Sequence, residues 1–321
     1  MFKLILGNED ITNLVSTVTL SGGYNQCRRS LSFGLIYSDA DRNIPYIETK
    51  LADRIKLYDN KNNNKFTGKI VKRKYDSSLG VLNLACFDDG LYLKKNTGFY
   101  SFANAKPEDI ARTVCNDFNI KIGKIARTGV RVSRTFLGNN LYDIIMSSYT
   151  KASEVTGKKY FLRFDNGELC IYEKFKNPEA FWIRGYSNLI SLTAEESYEN
   201  MVNRVAIYDS NNNFVRYIED KSAIREFGAM TACLKQTKED NRILAAQKKI
   251  KDGAVSKKIT VNNIGDWSLI TGESVYVYDA YSNINGTFII DADTHKFSKG
   301  QYTNSLTLNF ENIMDEKTLG G

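Results

Sequence analysis

Two stretches decide the fold: LADRIKLYD (Leu51 to Asp59) and ITGESVYVYD (Ile270 to Asp279). In each, apolar and polar residues alternate and the run stops at Tyr-Asp. That is the pattern of a half-buried strand halted by a turn. Ile55 answers Val275, Leu57 answers Val277, and Tyr58 and Asp59 answer Tyr278 and Asp279. The matches continue downstream. Phe66-Thr67-Gly68-Lys69-Ile70 corresponds to Asn285-Gly286-Thr287-Phe288, with Gly68 against Gly286. VLNLACFDD (Val81 to Asp89) corresponds to SLTLNFEN (Ser305 to Asn312), with Leu82 and Leu84 against Leu306 and Leu308. Upstream, NLVSTVTLSGGYNQ (Asn13 to Gln26) is loosely similar to NLISLTAEESYEN (Asn188 to Asn200). One small β unit is written twice, which suggests a scaffold presenting two equivalent parts.

Working outward, residues 1–92 read as all β. TVTLSG, RSLSFGLIY, DRIKLYD, GKIVKRKYD and VLNLACFD alternate and are separated by turn signals such as Asn62-Asn63-Asn64, the spacing of a small barrel or sandwich. Residues 93–186 differ. Pro107-Glu108-Asp109 opens a helix, with the ring in the first turn and acids at the positive end of the dipole. Ile110, Ala111, Val114, Cys115 and Phe118 make its apolar stripe. A second helix starts at Asn140, with Asp143 in a capping-box position and Gly157 as the stop. KYFLRFDNGELCIYEK (Lys159 to Lys174) is a hairpin turning at Asn166-Gly167. From residue 187 the β pattern returns, with a helix at about 238–252 that the first copy lacks. Thr237 and Asp240 are its candidate caps, and Ile243, Leu244, Ala246, Gln247 and Ile250 its inner side. The expected chain is mainly β. It has a β-barrel over 1–92, an inserted α+β domain over 93–186 and a second β-barrel over 187–321.

The 321 residues suffice for two or three cores without staples. A net charge of +7 on this length permits an acidic partner without requiring nucleic acid. Five scattered cysteines contain no CxxC pair, so no zinc or redox motif is indicated. Cys86, Cys115 and Cys170 sit in apolar patterns and read as buried thiols. MFKLILGNED has no cleavage pattern, so no signal peptide is expected, and no run reaches membrane-spanning length.

Chemistry is thinly represented. His295 is the only histidine, and no GxSxG accompanies it. Asp291, Asp293 and His295 alternate in one expected strand and share a face, either a polar outer face or a cation site. The copy-one counterpart of that segment, Lys72-Arg73-Lys74-Tyr75, could not hold a metal. The acid pairs Asp88-Asp89 and Glu195-Glu196 point to opposite strand faces, so neither is a catalytic dyad by itself. Lys69, Lys72, Arg73 and Lys74 read as a strand edge protected by lysines, with a nucleic-acid backbone as the other reading. Trp182 and Trp267 are expected as core or interface anchors.

DITNLVSTVTLSGGYNQCRRSLSFGLI (Asp10 to Ile36) and KKITVNNIGDWSLITGESVYVYD (Lys257 to Asp279) resemble the XkdQ/YqbQ-type hub proteins of contractile phage tails and phage tail-like particles. Glu226-Phe227-Gly228 ahead of Ala245-Ala246 is similar as well. The resemblance implies two tube-protein-like barrels per chain, and a homotrimer giving six barrels in a ring. It implies contacts with the tail tube protein above and with the spike and other baseplate proteins below. It places the protein in the baseplate of a virion or tail-like particle, made in the bacterial cytoplasm, with no catalytic residue, cofactor or membrane anchor to transfer. Two other classes stay open on the residues alone. One is a tail-associated cell-wall glycosidase or metal-dependent hydrolase. The other is a glycan-binding module, which would show an exposed aromatic platform.

Overall fold

A computed structural model describes residues 2–36, 46–76, 80–175, 177, 180–235 and 242–319. The chain opens with β1 (Phe2–Leu6), β2 (Glu9–Asp10), β3 (Val15–Gly23), β4 (Ser30–Ile36), β5 (Arg54–Asp59), β6 (Asn64–Asp76) and β7 (Val81–Phe87). Alternation puts Leu4, Leu6, Val18, Leu20, Leu31, Phe33, Leu35, Ile55, Leu57, Ile70, Leu82 and Leu84 into one apolar core. The turn into β6 forms at Asn62, with φ +63°, where the Asp59 carboxylate accepts from the Lys61 and Asn63 amides.

The middle segment contains α1 (Gly90–Lys95), β8 (Thr97–Ala105), α2 (Pro107–Asp117), β9 (Ile122–Ile125), β10 (Val132–Asn140), α3 (Leu141–Thr156), β11 (Lys159–Asp165) and β12 (Glu168–Lys174). Several expectations hold here. Pro107 stands in the first turn of α2, which buries Ile110, Ala111, Val114 and Cys115. Asn140 caps α3 by accepting from the Asp143 amide, and Gly157 ends it at φ +73°. Asn166 and Gly167 both have positive φ, and Asp165 opposes Glu168 across the hairpin. The β8–β10 pair and the parallel pairing of β9 on β12 were not expected from the sequence. This segment has its own apolar core around Ile144, Ile145, Tyr149, Tyr160 and Leu169.

The remaining elements are β13 (Phe181–Arg184), β14 (Leu189–Ser197), β15 (Arg204–Tyr208), β16 (Phe214–Glu219), α4 (Lys221–Phe227), β17 (Thr231–Lys235), α5 (Arg242–Asp252), β18 (Ser256–Ile264), β19 (Ser274–Asp279), β20 (Ile284–Ser298) and β21 (Gln301–Asn309). Tertiary contacts divide the chain into one compact unit of 1–192 with 260–321 and a second of 193–259. The second unit is a β16-β15-β17 sheet with an apolar cluster of Val205, Ile207 and Ala246. In α5 only part of the expected inner side is buried. Ala246 is covered, whereas Ile243 and Leu244 are exposed, and the cap residues Thr237 and Asp240 lie outside the described residues.

The two β patterns share a strand order. The first is β3-β4-β7-β6-β5-β1, and the second is β14-β18-β21-β20-β19-β13. They also share irregularities. Both long strands carry a bulge, after Ile70 in β6 and after Ile290 in β20. Ala52 donates to Ile70 O at φ +71°, and Gly272 donates to Ile290 O at φ +91°. The final pairs differ in sense, since β1 is antiparallel to β5 but β13 is parallel to β19. The barrel expectation needs correction: both ladders belong to one sheet whose path is open, from β14 at one end to β2 at the other.

The residue matches also shift by two. Leu57 opposes Phe66, and Val277 opposes Gly286, so Gly286 stands where Phe66 does and Phe288 where Gly68 does. The two hairpins are of equal length, and they differ in that Lys65 is bulged out of the copy-one ladder. Likewise Leu84 corresponds to Leu306 and Cys86 to Leu308. Glycine and phenylalanine are exchanged between copies, and in copy one a Cβ on Gly68 would come 2.6 Å from the Phe66 ring.

At the start of α1, Gly90 lies against the Cys27 carbonyl, where a methyl group would overlap backbone. Gly90→Ala is therefore expected to lower unfolding stability by about 1–3 kcal/mol in urea titration.

Candidate functional site

β20 is the longest strand, and its two halves have different partners. Ile284–Ile289 pairs with β19, whereas Ala292–Ser298 pairs with β3 of the other copy, Asp293 opposite Gly22 and Ser298 opposite Thr17. β21 pairs with Ile289–Ser298 along its other edge. Phe297 thereby reaches the core of the first copy. The two patterns meet here, and three of the polar residues singled out in the sequence lie on this strand.

Asp291, Asp293 and His295 do share one face, as period-2 spacing requires, but that face is buried. It is neither a polar outer face nor an arrangement that leaves carboxylates for a cation. Arg29 grips Asp293 through both guanidinium nitrogens, Nη1 to Oδ1 at 3.0 Å and Nη2 to Oδ2. The Thr271 amide and hydroxyl donate to the same Oδ1 at 2.7 and 2.6 Å. His295 Nε2 lies 3.2 Å from Asp293 Oδ2 without a directional hydrogen bond, while its Nδ1 contacts Tyr302 Oη at 2.7 Å and Asn304 Nδ2 at 2.8 Å. Trp267 stacks on the imidazole, ring centroids 5.3 Å apart. Burial works against the Asp293 carboxylate, yet the Arg29 charge and the polar contacts outweigh it and hold that carboxyl well below the usual range.

The sequence explains why Arg29 fits. Gly22 lies directly across from Asp293, and a Cβ there would come 2.8 Å from Arg29 Nη1. The absent side chain is the channel for the guanidinium. Asp291 has a separate partner from the middle segment. Lys174 Nζ donates to Asp291 Oδ1 at 3.0 Å and to the Ile313 carbonyl at 2.7 Å, with the Tyr24 ring 5.0 Å away. Burial lowers the Lys174 ammonium and raises the Asp291 carboxyl, each against the pull of the other. Neither Arg29 nor Lys174 was foreseen as a partner. No local pattern marks them, because the pairing that sets Gly22 across from Asp293 joins distant parts of the chain.

The other candidates lie apart from this cluster or at its margin. Asp88 is buried and accepts from the Arg29 amide at 2.9 Å and the Gly90 amide at 3.0 Å. Asp89 is partly exposed, and Glu195 and Glu196 are exposed on β14. Lys72, Arg73, Lys74 and Tyr75 are exposed on the far half of β6. Trp182 is half exposed and stacks on Tyr276 at 4.1 Å, with the Arg184 guanidinium 4.2 Å from the Trp182 ring centre. Among the described residues no group of three or more His, Cys, Asp and Glu is placed to hold a metal ion, and no helix is long and apolar enough to cross a membrane.

A sequence pattern spanning residues 18–309, almost the whole paired architecture, matches the YQBQ-like family. The chain belongs to that family. The YQBQ-like chain is 24% identical to the phage-like element PBSX protein XkdQ of Bacillus subtilis, over 98% of each chain. Its fold is similar to that of the 43 kDa tail protein of prophage MuSo2 from Shewanella oneidensis, with TM-score 0.75, 12% identity and 96% of each chain covered. It is also similar to an Escherichia coli type VI secretion component that itself resembles T4 bacteriophage tail proteins. There the TM-score is 0.57 at 10% identity, covering 99% of this chain and 79% of the other.

Breaking the ion pair from one side leaves a buried charge, so Arg29→Met is expected to cost about 3–5 kcal/mol of unfolding stability. Arg29→Met with Asp293→Leu is expected to recover much of that loss, which a double-mutant cycle in urea will measure. The Asp88 carboxyl behaves oppositely to Asp293. Burial pushes it up to about 7 from 3.8, against the two amide donors. The folded state then binds the proton more tightly than the unfolded chain, so this contribution is full at low pH and lost as pH rises from about 4 to about 7. The stability difference between wild type and Asp88→Asn is expected to fall across that window and level off above it.

Proposed function

We propose that this chain is a structural protein of the phage-tail baseplate and, more specifically, a hub that adapts a hexameric tail tube to a trimeric spike. The observation that carries the proposal is the repeated ladder: two six-strand runs of the same order, with the same bulge after Ile70 and Ile290. Family membership and the shared fold with tail proteins support the coarser part. Two like units per chain let three chains present six similar faces, which is how a threefold object meets a sixfold one. In this reading the first ladder corresponds to 1–92, the second to the strands of 187–321, and the separately cored middle segment to the inserted domain of 93–186. The partners are other copies of this chain, the tail tube protein and the spike, and the location is the virion or tail-like particle.

The reading assigns no catalysis. The acids that a hydrolase would need on β20 are each gripped by a cation, Asp293 by Arg29 and Asp291 by Lys174. The aromatic stack a glycan module would expose is overlain by Arg184.

Purified particles from the producing cell are expected to contain this chain at a fixed ratio to tube protein, read by quantitative mass spectrometry. In-frame deletion is expected to abolish tail assembly in electron micrographs. Normal tails without the chain would overturn the proposal.

A further inference from the structure

The shared sheet brings the β5–β6 turn close to the β18–β19 connection, and a cleft of about 490 Å³ opens between them. That volume lies within the roughly 300–1,000 Å³ of small-molecule sites. One wall is aromatic. Trp267 and Tyr302 line it and pack inward against the apolar core of the first ladder. The other wall is polar and comes from the hairpin turn, with Asp59, Asn60, Lys61 and Lys65. Both walls are fixed by the protein itself. The Asp266 amide donates to Asn304 Oδ1 at 2.6 Å, the Ser268 amide and hydroxyl donate to Asp266 Oδ1 at 2.8 and 2.6 Å, and His295 stacks on Trp267. On the hairpin side, Asp59 accepts from the Lys61 and Asn63 amides.

We infer that this cleft binds an uncharged saccharide, with one sugar ring against Trp267 and its hydroxyls on Asn60, Lys61 and Asp266. Three observations carry this. The charges of the lining balance, Lys61 and Lys65 against Asp59 and Asp266, so its field selects neither an anion nor a cation. The polar groups left open are of both kinds. The Trp267 indole N–H and the Lys61 ammonium are donors, Asp266 Oδ2 is an acceptor and the Asn60 amide is both, and none of them has a hydrogen-bond partner among the described residues. A sugar hydroxyl donates and accepts, so it satisfies either kind. Finally, Lys65 does not close over Trp267. It is bulged out of the ladder with its Nζ 3.4 Å from Asp59 Oδ2 and 5.9 Å from the Trp267 ring centre, at the limit of cation–π contact. Arg184, by contrast, covers Trp182 at 4.2 Å.

Other ligand classes fit less well. A polyanion would meet the two carboxylates, and an apolar ligand would strand the open polar groups away from water. A sugar ring has a C–H face for the aromatic wall and hydroxyls for the polar one. The site is a recess and not an exposed aromatic platform, so it adds a ligand to the baseplate reading and does not rest on it.

The test titrates the chain with maltotriose and, separately, with the trisaccharide of N-acetylglucosamine. Trp267 fluorescence is read in a Trp182→Phe background, where no other tryptophan remains. A saturable change with half-saturation in the low millimolar range is expected for at least one of the two sugars. In that background, Asn60→Ala and Asp266→Asn are each expected to raise the half-saturation concentration at least about threefold, the loss of one hydrogen bond. Asp266→Asn keeps Oδ1 for Ser268 and changes only the open Oδ2, so the connection keeps its fold. Tyr281→Ala, at a fully exposed tyrosine outside the cleft lining, is expected to leave binding unchanged. No saturable response to either sugar overturns the inference. Binding that is unaltered in both cleft variants, or weakened as much by Tyr281→Ala, overturns it as well. A chain present in tail particles that binds neither sugar loses this site and keeps the tail reading. A chain that binds sugar but is absent from particles keeps the site and loses the tail reading.

Discussion

The grip of Arg29 on Asp293 is the contact on which the shared sheet depends. β20 must leave its own ladder and enter the other, and doing so buries the polar face of its far half. A buried carboxylate is tolerated only when paired and hydrogen-bonded. Arg29 supplies the charge, Thr271 two further donors, and Gly22 the space through which the guanidinium passes. Arg29 is itself fixed by its own amide, which donates to Asp88 at the entrance to α1. A single chain of contacts thus runs from the middle segment through the first ladder to the second. Lys174 adds a second tie, binding β12 of the middle segment to Asp291 on the same strand.

The two ladders are alike in order and bulge, yet they spend corresponding positions differently. Asp293 in one copy is Arg73 in the other, buried in the first case and exposed in the second. An arginine at position 293 as well would leave a buried charge beside Arg29 with no carboxylate to pair it. The 193–259 unit is a further departure, since nothing between β3 and β4 corresponds to its β15–β17 sheet and α5.

Much of the local structure was legible because short-range chemistry sets it. Asn166-Gly167 turns the β11–β12 hairpin because both positions take positive φ, and Asn140 with Asp143 and Gly157 brackets α3. Alternation located β3 to β7 and β19 to β21 for the same reason. Register was less accessible. Gly68 matched Gly286 by identity, but Leu57 to Phe66 and Val277 to Gly286 span the same length of chain, so the true match runs without a gap and falls two residues further on, at Phe288. The pattern stays in phase under a shift of two, so hydrophobic spacing cannot detect the error. The exposed face of α5 was misread for a related reason: Ile243 and Leu244 are apolar, but the small sheet beneath covers only the side marked by Ala246.

The sequence by itself determined most of the strands outside the middle segment, the β11–β12 hairpin turn and the ends of α3, that the β pattern occurs twice, and that Asp291, Asp293 and His295 share a face. Each follows from periodicity or from the conformational needs of one or two residues. Tertiary structure alone decided that this face points inward, that the ladders join in one open sheet, and that Arg29 and Lys174 neutralise the acids. Those partners lie 264 and 117 residues away along the chain. Pairing across such separations is set by which strands become neighbours, a property that no local pattern encodes.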